Sequence, residues 1–322
     1  MKMFLILFSC LLVTMAHAEK IKLAVLTPEG TSWSNSLADM TKEIKSVTKG
    51  EIDFRIYYGG VAGDESDVVR KIRVGQLHGG FFTGKTLGEF TNDLRVVEIP
   101  FTFHHDRAKA WKMVEALTND FSTSLRKNGF ESLGYYEIGQ VYVISTKKVN
   151  TLNELKGIKI WSWEGDQIVK AMVDSLQLVS IPLALPDVLS SLSTGIIEAA
   201  YAPPMGILAL QWQTKIKYLV DYPVAFSIGA LLISNKIWDK ISPANQKIIK
   251  EIASKYIKQT NAQTVLDNTE ALNALKNSGI TFIKFPDSDI QQADNIRKDV
   301  VKRIVPQFIS TQGYQKLEKL LK

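Results

Sequence analysis

Residues Gly79-Gly80-Phe81-Phe82-Thr83-Gly84-Lys85-Thr86 spell G-x-x-x-x-G-K-T, the spacing with which a glycine-rich loop wraps a nucleotide phosphate. That chemistry needs a buried strand before the loop, backbone amides facing the phosphate and a helix opening at the lysine. Here the approach from Arg73 to His78 is polar, and two adjacent phenylalanines occupy the middle of the pattern. The run reads as a strand and turn instead. A second candidate is His104-His105-Asp106. Neighbouring histidines on a strand point to opposite faces and cannot share one ion without a turn, whereas Asp106 is well suited to cap the helix that follows. His78 is the only other histidine beyond residue 18, no serine sits in a nucleophile-elbow pattern, and no two carboxylates stand out as an acid–base couple. The expectation is a non-enzymatic protein with no cofactor and no metal.

The N-terminus carries Lys2, an apolar run from Met3 to Met15 and then Ala16-His17-Ala18. This is the pattern of a secretory leader, too short to span a bilayer, and residues 1–18 are expected to be removed after Ala18. Cys10, the one cysteine, lies inside that leader, so residues 19–322 have no disulfide or thiol chemistry. The net charge of +6 is spread along the chain instead of gathered in a basic block, which argues against a nucleic-acid partner.

Positioning falls to an alternation of short apolar runs and longer helical stretches. Strands are expected over 20–26, 53–58, 79–83, 131–136, 140–145, 230–234 and 281–284. Helical spacing covers 33–49, 64–74, 106–128 and the tail from Pro243, and the apolar run Val96–Phe103 lies between. Strands alternating with helices predict an α/β fold built on largely parallel pairs.

The order of several motifs resembles the TRAP-transporter (DctP-type) solute-binding proteins. Thr151 to Pro203 carries Leu155-Lys156-Gly157-Ile158-Lys159-Ile160, a proline-bearing strand and a Thr194-Gly195 turn. Tyr58-Gly59-Gly60, Glu98-Ile99-Pro100-Phe101-Thr102-Phe103, Leu133 to Gly139 and Leu232 to Trp238 are similar to further boxes of that family. The resemblance implies a two-lobed periplasmic-binding-protein fold with a ligand cleft between lobes and a helical C-terminal region. It places 19–140 and about 235–322 in lobe I with the C-terminal helices, and about 141–234 in lobe II. It further implies a periplasmic protein that docks at the membrane without inserting, and that hands a small-molecule ligand to the small and large TRAP permease subunits.

The family grips a ligand carboxylate with arginines at the positions of Trp161 and Val141 and an asparagine at the position of Ala202. All three are apolar or aromatic here. An indole offers one donor and no charge, so a buried carboxylate would go largely unmatched. The expected cleft is therefore apolar, lined by Trp33, Phe82, Trp161, Trp163, Tyr201, Met205, Trp212 and Phe226, and its ligand apolar or amphipathic. Two alternatives stay open: an organic acid held by a different residue set, and a sensor or scaffold role without transport.

Overall fold

The computed structural model describes residues 20–103 and 106–322. The expected leader with its expected cleavage point, and the histidine pair 104–105, lie outside the described residues.

Among the described residues ten strands form one mixed sheet system. In chain order they are β1 (Ile21–Ala24), β2 (Phe54–Tyr57), β3 (Gly79–Thr83), β4 (Phe130–Ser145), β5 (Lys159–Ser162), β6 (Val179–Pro182), β7 (Ala199–Ala202), β8 (Tyr218–Val220), β9 (Ala225–Ser234) and β10 (Thr281–Ile283). The helices are α1 (Ser32–Val47), α2 (Glu65–Arg73), α3 (Gly84–Phe90), α4 (Arg107–Lys127), α5 (Gln167–Ser175), α6 (Val188–Thr194), α7 (Pro204–Ala209), α8 (Asn235–Trp238), α9 (Pro243–Asn277), α10 (Asp287–Ile304) and α11 (Thr311–Leu321).

The order β2-β1-β3-β9-β4 makes the first lobe, with β1 parallel to β2 and β3, and β9 antiparallel to both β3 and β4. Past Val141 the same β4 leaves β9 and pairs antiparallel with β7, beyond which β5 and β6 run parallel; β8 and β10 complete the second lobe on the other side of β4. One strand therefore belongs to both lobes. The two strands expected over 131–136 and 140–145 are this single β4. Register shifts near Gly134 and Gly139, both at positive φ, break its two-residue period and disguise it as two runs. Val96–Phe103 is not a strand: Asn92–Glu98 winds into a 3-10 helix, which folds a charged pair inward.

The expected lobe boundaries need two corrections. β9 pairs with β3 from Gly229 to Ile233 and so belongs to the first lobe, although it precedes residue 235. β10 pairs with β8, and α10 packs on α5, so the stretch after α9 returns to the second lobe. The reason is α9, 35 residues long, which runs from one lobe to the other: Ile249 to Ile257 pack beneath the first sheet, and Leu275 joins the core of the second. At 1.5 Å per residue such a helix spans about 50 Å. Its start is well specified, with Ser242 accepting from the Asn245 amide and Pro243 in the first turn.

Candidate ligand cleft

A cavity of about 250 Å³ lies where the lobes meet. Seven of the eight sequence-predicted residues line it: Trp33, Trp161, Trp163, Tyr201, Met205, Trp212 and Phe226. Phe82 does not. It is fully buried and meets Phe90 edge-on in the core behind β3, and its neighbour Phe81 takes the wall. Adjacent strand residues face opposite sides, so a choice between 81 and 82 depends on which face of β3 meets the cleft. β3 also disposes of the phosphate-loop reading: Gly79 to Thr83 pairs with β9 along its whole length and with β1 at Gly79 and Gly80, so the run is a strand and not a loop that wraps a phosphate.

The second lobe supplies an aromatic wall. Trp161 and Trp163, two apart at the end of β5, share one face. The Trp161 ring stacks on Tyr201 at 4.8 Å and 21°, tilts against Trp163 at 5.5 Å, and meets Trp212 edge-on at 5.5 Å. Its indole nitrogen donates to the Leu183 carbonyl at 3.0 Å, which fixes the ring. The first lobe answers with Trp33 and Phe81, which meet each other and the core residue Tyr136 in edge contacts of 4.6 to 5.6 Å. Val141 and Ala202 line the same cavity as Trp161. The Tyr201 hydroxyl is buried there, with a weak contact to the Trp163 backbone and no well-formed hydrogen bond. Burial holds its pKa well above the ordinary tyrosine range.

The cavity also holds charges the sequence reading missed. Arg95, in the 3-10 segment, is 4 % exposed. Its Nε donates to Glu98 Oε2 at 2.6 Å, and its Nη2 donates to Asp166 Oδ2 and Oδ1 at 3.1 and 3.2 Å. Burial works against the guanidinium charge, but Asp166 and Glu98 outweigh it and hold Arg95 ionised. Glu98 also accepts from the Ile228 amide at 2.9 Å, and Asp166 caps α5 by accepting from the Ile168 and Val169 amides. Glu65 accepts from the Thr83 amide at 2.9 Å and the Thr83 hydroxyl at 3.1 Å; burial, only partly offset by those bonds, pushes its pKa up to about 7. Glu137 takes a two-pronged pair from Arg107 at 2.7 and 2.6 Å, yet burial still raises its pKa. One cue was legible: Arg95 and Glu98 stand three apart in the otherwise apolar run Leu94 to Phe101. Asp166 carried no such cue beyond its helix-capping position.

Two side-chain contacts cross the cleft. Trp163 Nε1, just past β5, donates to Asp64 Oδ2 at 2.9 Å at the cap of α2, and Arg95 joins Asp166. Among the described residues no cluster of three or more His, Cys, Asp or Glu could hold a metal ion, and no helix is long and apolar enough to cross a membrane.

Residues 23–307 match the family described as bacterial extracellular solute-binding protein, family 7 (DctP). A solute-binding protein of Verminephrobacter eiseniae is 21% identical over 272 residues, covering 84% of this chain and 81% of that protein. The sialic acid-binding periplasmic protein of Vibrio cholerae is 21% identical over 280 residues, 84% of each. Among solved structures, a TRAP periplasmic solute-binding protein of Haemophilus influenzae with bound L-gulonate superposes with a TM-score of 0.86 at 22% identity, covering 94% of this chain and 99% of that one. Another, from a Sulfitobacter species with bound β-D-galacturonate, gives 0.84 at 20% identity, covering 94% and 100%. The match over most of the chain and the shared two-lobed fold lead to one conclusion: this chain belongs to the DctP family of TRAP solute-binding proteins, which are binding proteins and not enzymes.

Proposed function

We propose that this chain captures a small apolar or amphipathic ligand between its lobes in the periplasm and delivers it to the small and large membrane subunits of a TRAP permease. The observation that carries the ligand class is the pairing inside the cleft. The buried guanidinium is already shared by Glu98 and Asp166, while Trp161, Trp163, Tyr201 and Trp212 present an aromatic wall. A ligand anion would compete with two carboxylates the protein supplies itself. An apolar ligand needs no such partner: burial yields about 25 cal/mol per Å², so about 300 Å² gives roughly 8 kcal/mol before the cost of association. The Tyr201 hydroxyl is placed to bond one polar atom of an amphipathic ligand.

A second reading keeps the family's organic acids. Arg95 faces the cavity, and the related structures hold gulonate and galacturonate, so a ligand carboxylate could displace Asp166 from the guanidinium. Calorimetry decides between the two. The expected result is no micromolar binding of D-galacturonate, L-gulonate or sialic acid, together with an apolar compound that co-purifies and is identified by native mass spectrometry and extraction. Micromolar binding of any of those three acids overturns the apolar assignment.

A further inference from the structure

The Arg95 pairing has an arrangement that stability alone does not require. Glu98 is three residues from Arg95 on the same 3-10 segment and satisfies the Nε. Asp166 is 71 residues away, in the other lobe, and reaches Nη2 with both oxygens. Its Oδ1 is held at 3.1 Å by the Ile168 and Val169 amides at the start of α5, so its own lobe orients the carboxylate. Glu98 is fixed likewise by the Ile228 amide at 2.9 Å. The guanidinium thus faces one carboxylate from its own lobe and one from the opposite lobe. At this cluster one guanidinium already lies between two carboxyl groups, so a carboxylate arriving with a ligand finds its bonding side taken; Lys85, which also lines the cavity, is paired with Glu89 at 2.7 Å.

We propose that Asp166 determines the charge class of the ligand: as a carboxylate built into the second lobe, it takes the Arg95 side that a ligand carboxylate would need, so the cleft admits uncharged and amphipathic ligands and turns anions away. The proposal rests on reading this cavity as the ligand site. Asp166 is a specificity residue rather than a mere brace, because it lines the cavity and its removal changes what the Arg95 charge can bind.

Asp166→Ser tests it. Serine keeps a helix-capping oxygen for α5 while removing the charge and freeing space beside Nη2. Asp166→Asn, which keeps the shape and loses only the charge, serves as the second variant if the first unfolds. Octanoate and its neutral counterpart octanamide are the probes, titrated into wild type and both variants by calorimetry at pH 7.5. The expected result is a gain in octanoate affinity of about tenfold or more over wild type, with octanamide changing much less. Unchanged octanoate affinity in the folded variants overturns the proposal, and so does an equal gain for both probes, which would signal only a loosened cleft. The ligand reading is judged separately, on wild type. A hexuronate bound there at micromolar affinity removes the apolar assignment, while the octanoate comparison still decides the role of Asp166.

Discussion

Tyr201 shows how one side chain can be fixed by packing and still keep chemistry in reserve. Its ring is clamped on Trp161, yet its buried hydroxyl has only a weak contact with the Trp163 backbone. Removing that oxygen leaves the stack intact and breaks no well-formed bond. Tyr201→Phe is therefore expected to leave unfolding stability within about 1 kcal/mol of wild type or slightly above it, as read by denaturant titration. Glu65 makes the opposite case. Its pKa is pushed up to about 7 chiefly by burial, so the folded state binds its proton over a range where the unfolded chain has released it. The stability this proton confers is complete below the ordinary carboxylate pKa and is lost as pH rises through about 7, amounting to about 3 kcal/mol. Burial raises Glu98 and Glu137 as well. Glu65→Gln should flatten the decline between pH 5 and 8 and be the more stable protein at pH 8; an unaltered slope would place the titration elsewhere. At this scale the aromatic lining was legible, because Trp161, Tyr201 and their neighbours stand at recognisable positions. Arg95 with Asp166 was not, since nothing local announces a contact between residues 71 apart.

Elements decide whether those side chains meet. α3 starts at Gly84, and a Cβ there would overlap the Glu98 carboxyl, which is pinned by Arg95 and the Ile228 amide. The turn from β3 into α3 is thus the wall against which the charge cluster is set. Gly84→Ala should destabilise the fold by about 2 kcal/mol or more, measured by urea unfolding, because the obstacle is a hydrogen-bonded buried carboxylate and not a free chain end. Most elements were readable from periodicity, including α1, α2, α4 and the long α9. One misreading has a local cause: β4 carries bulges, so period alone split it into two runs.

For the whole molecule, connectivity outweighs lobe count. β4 belongs to both sheets, α9 packs on both lobes, and the chain returns to the second lobe through β10 and α10. Neither lobe can unfold without stripping pairing or packing from the other. Calorimetry should accordingly show a single transition whose van't Hoff and calorimetric enthalpies agree, and two resolved transitions would contradict this coupling. These crossings also explain the misplaced lobe boundaries: a boundary drawn by residue number assumes that each lobe is a run of sequence, and β10 shows that it is not. The aromatic wall has a consequence of another kind. The chain has six tryptophans, and four of them, Trp33, Trp161, Trp163 and Trp212, line the cavity. Its ultraviolet emission therefore reports mainly on one place, so a compound entering the cleft should announce itself by a change in intensity or colour, without any attached dye.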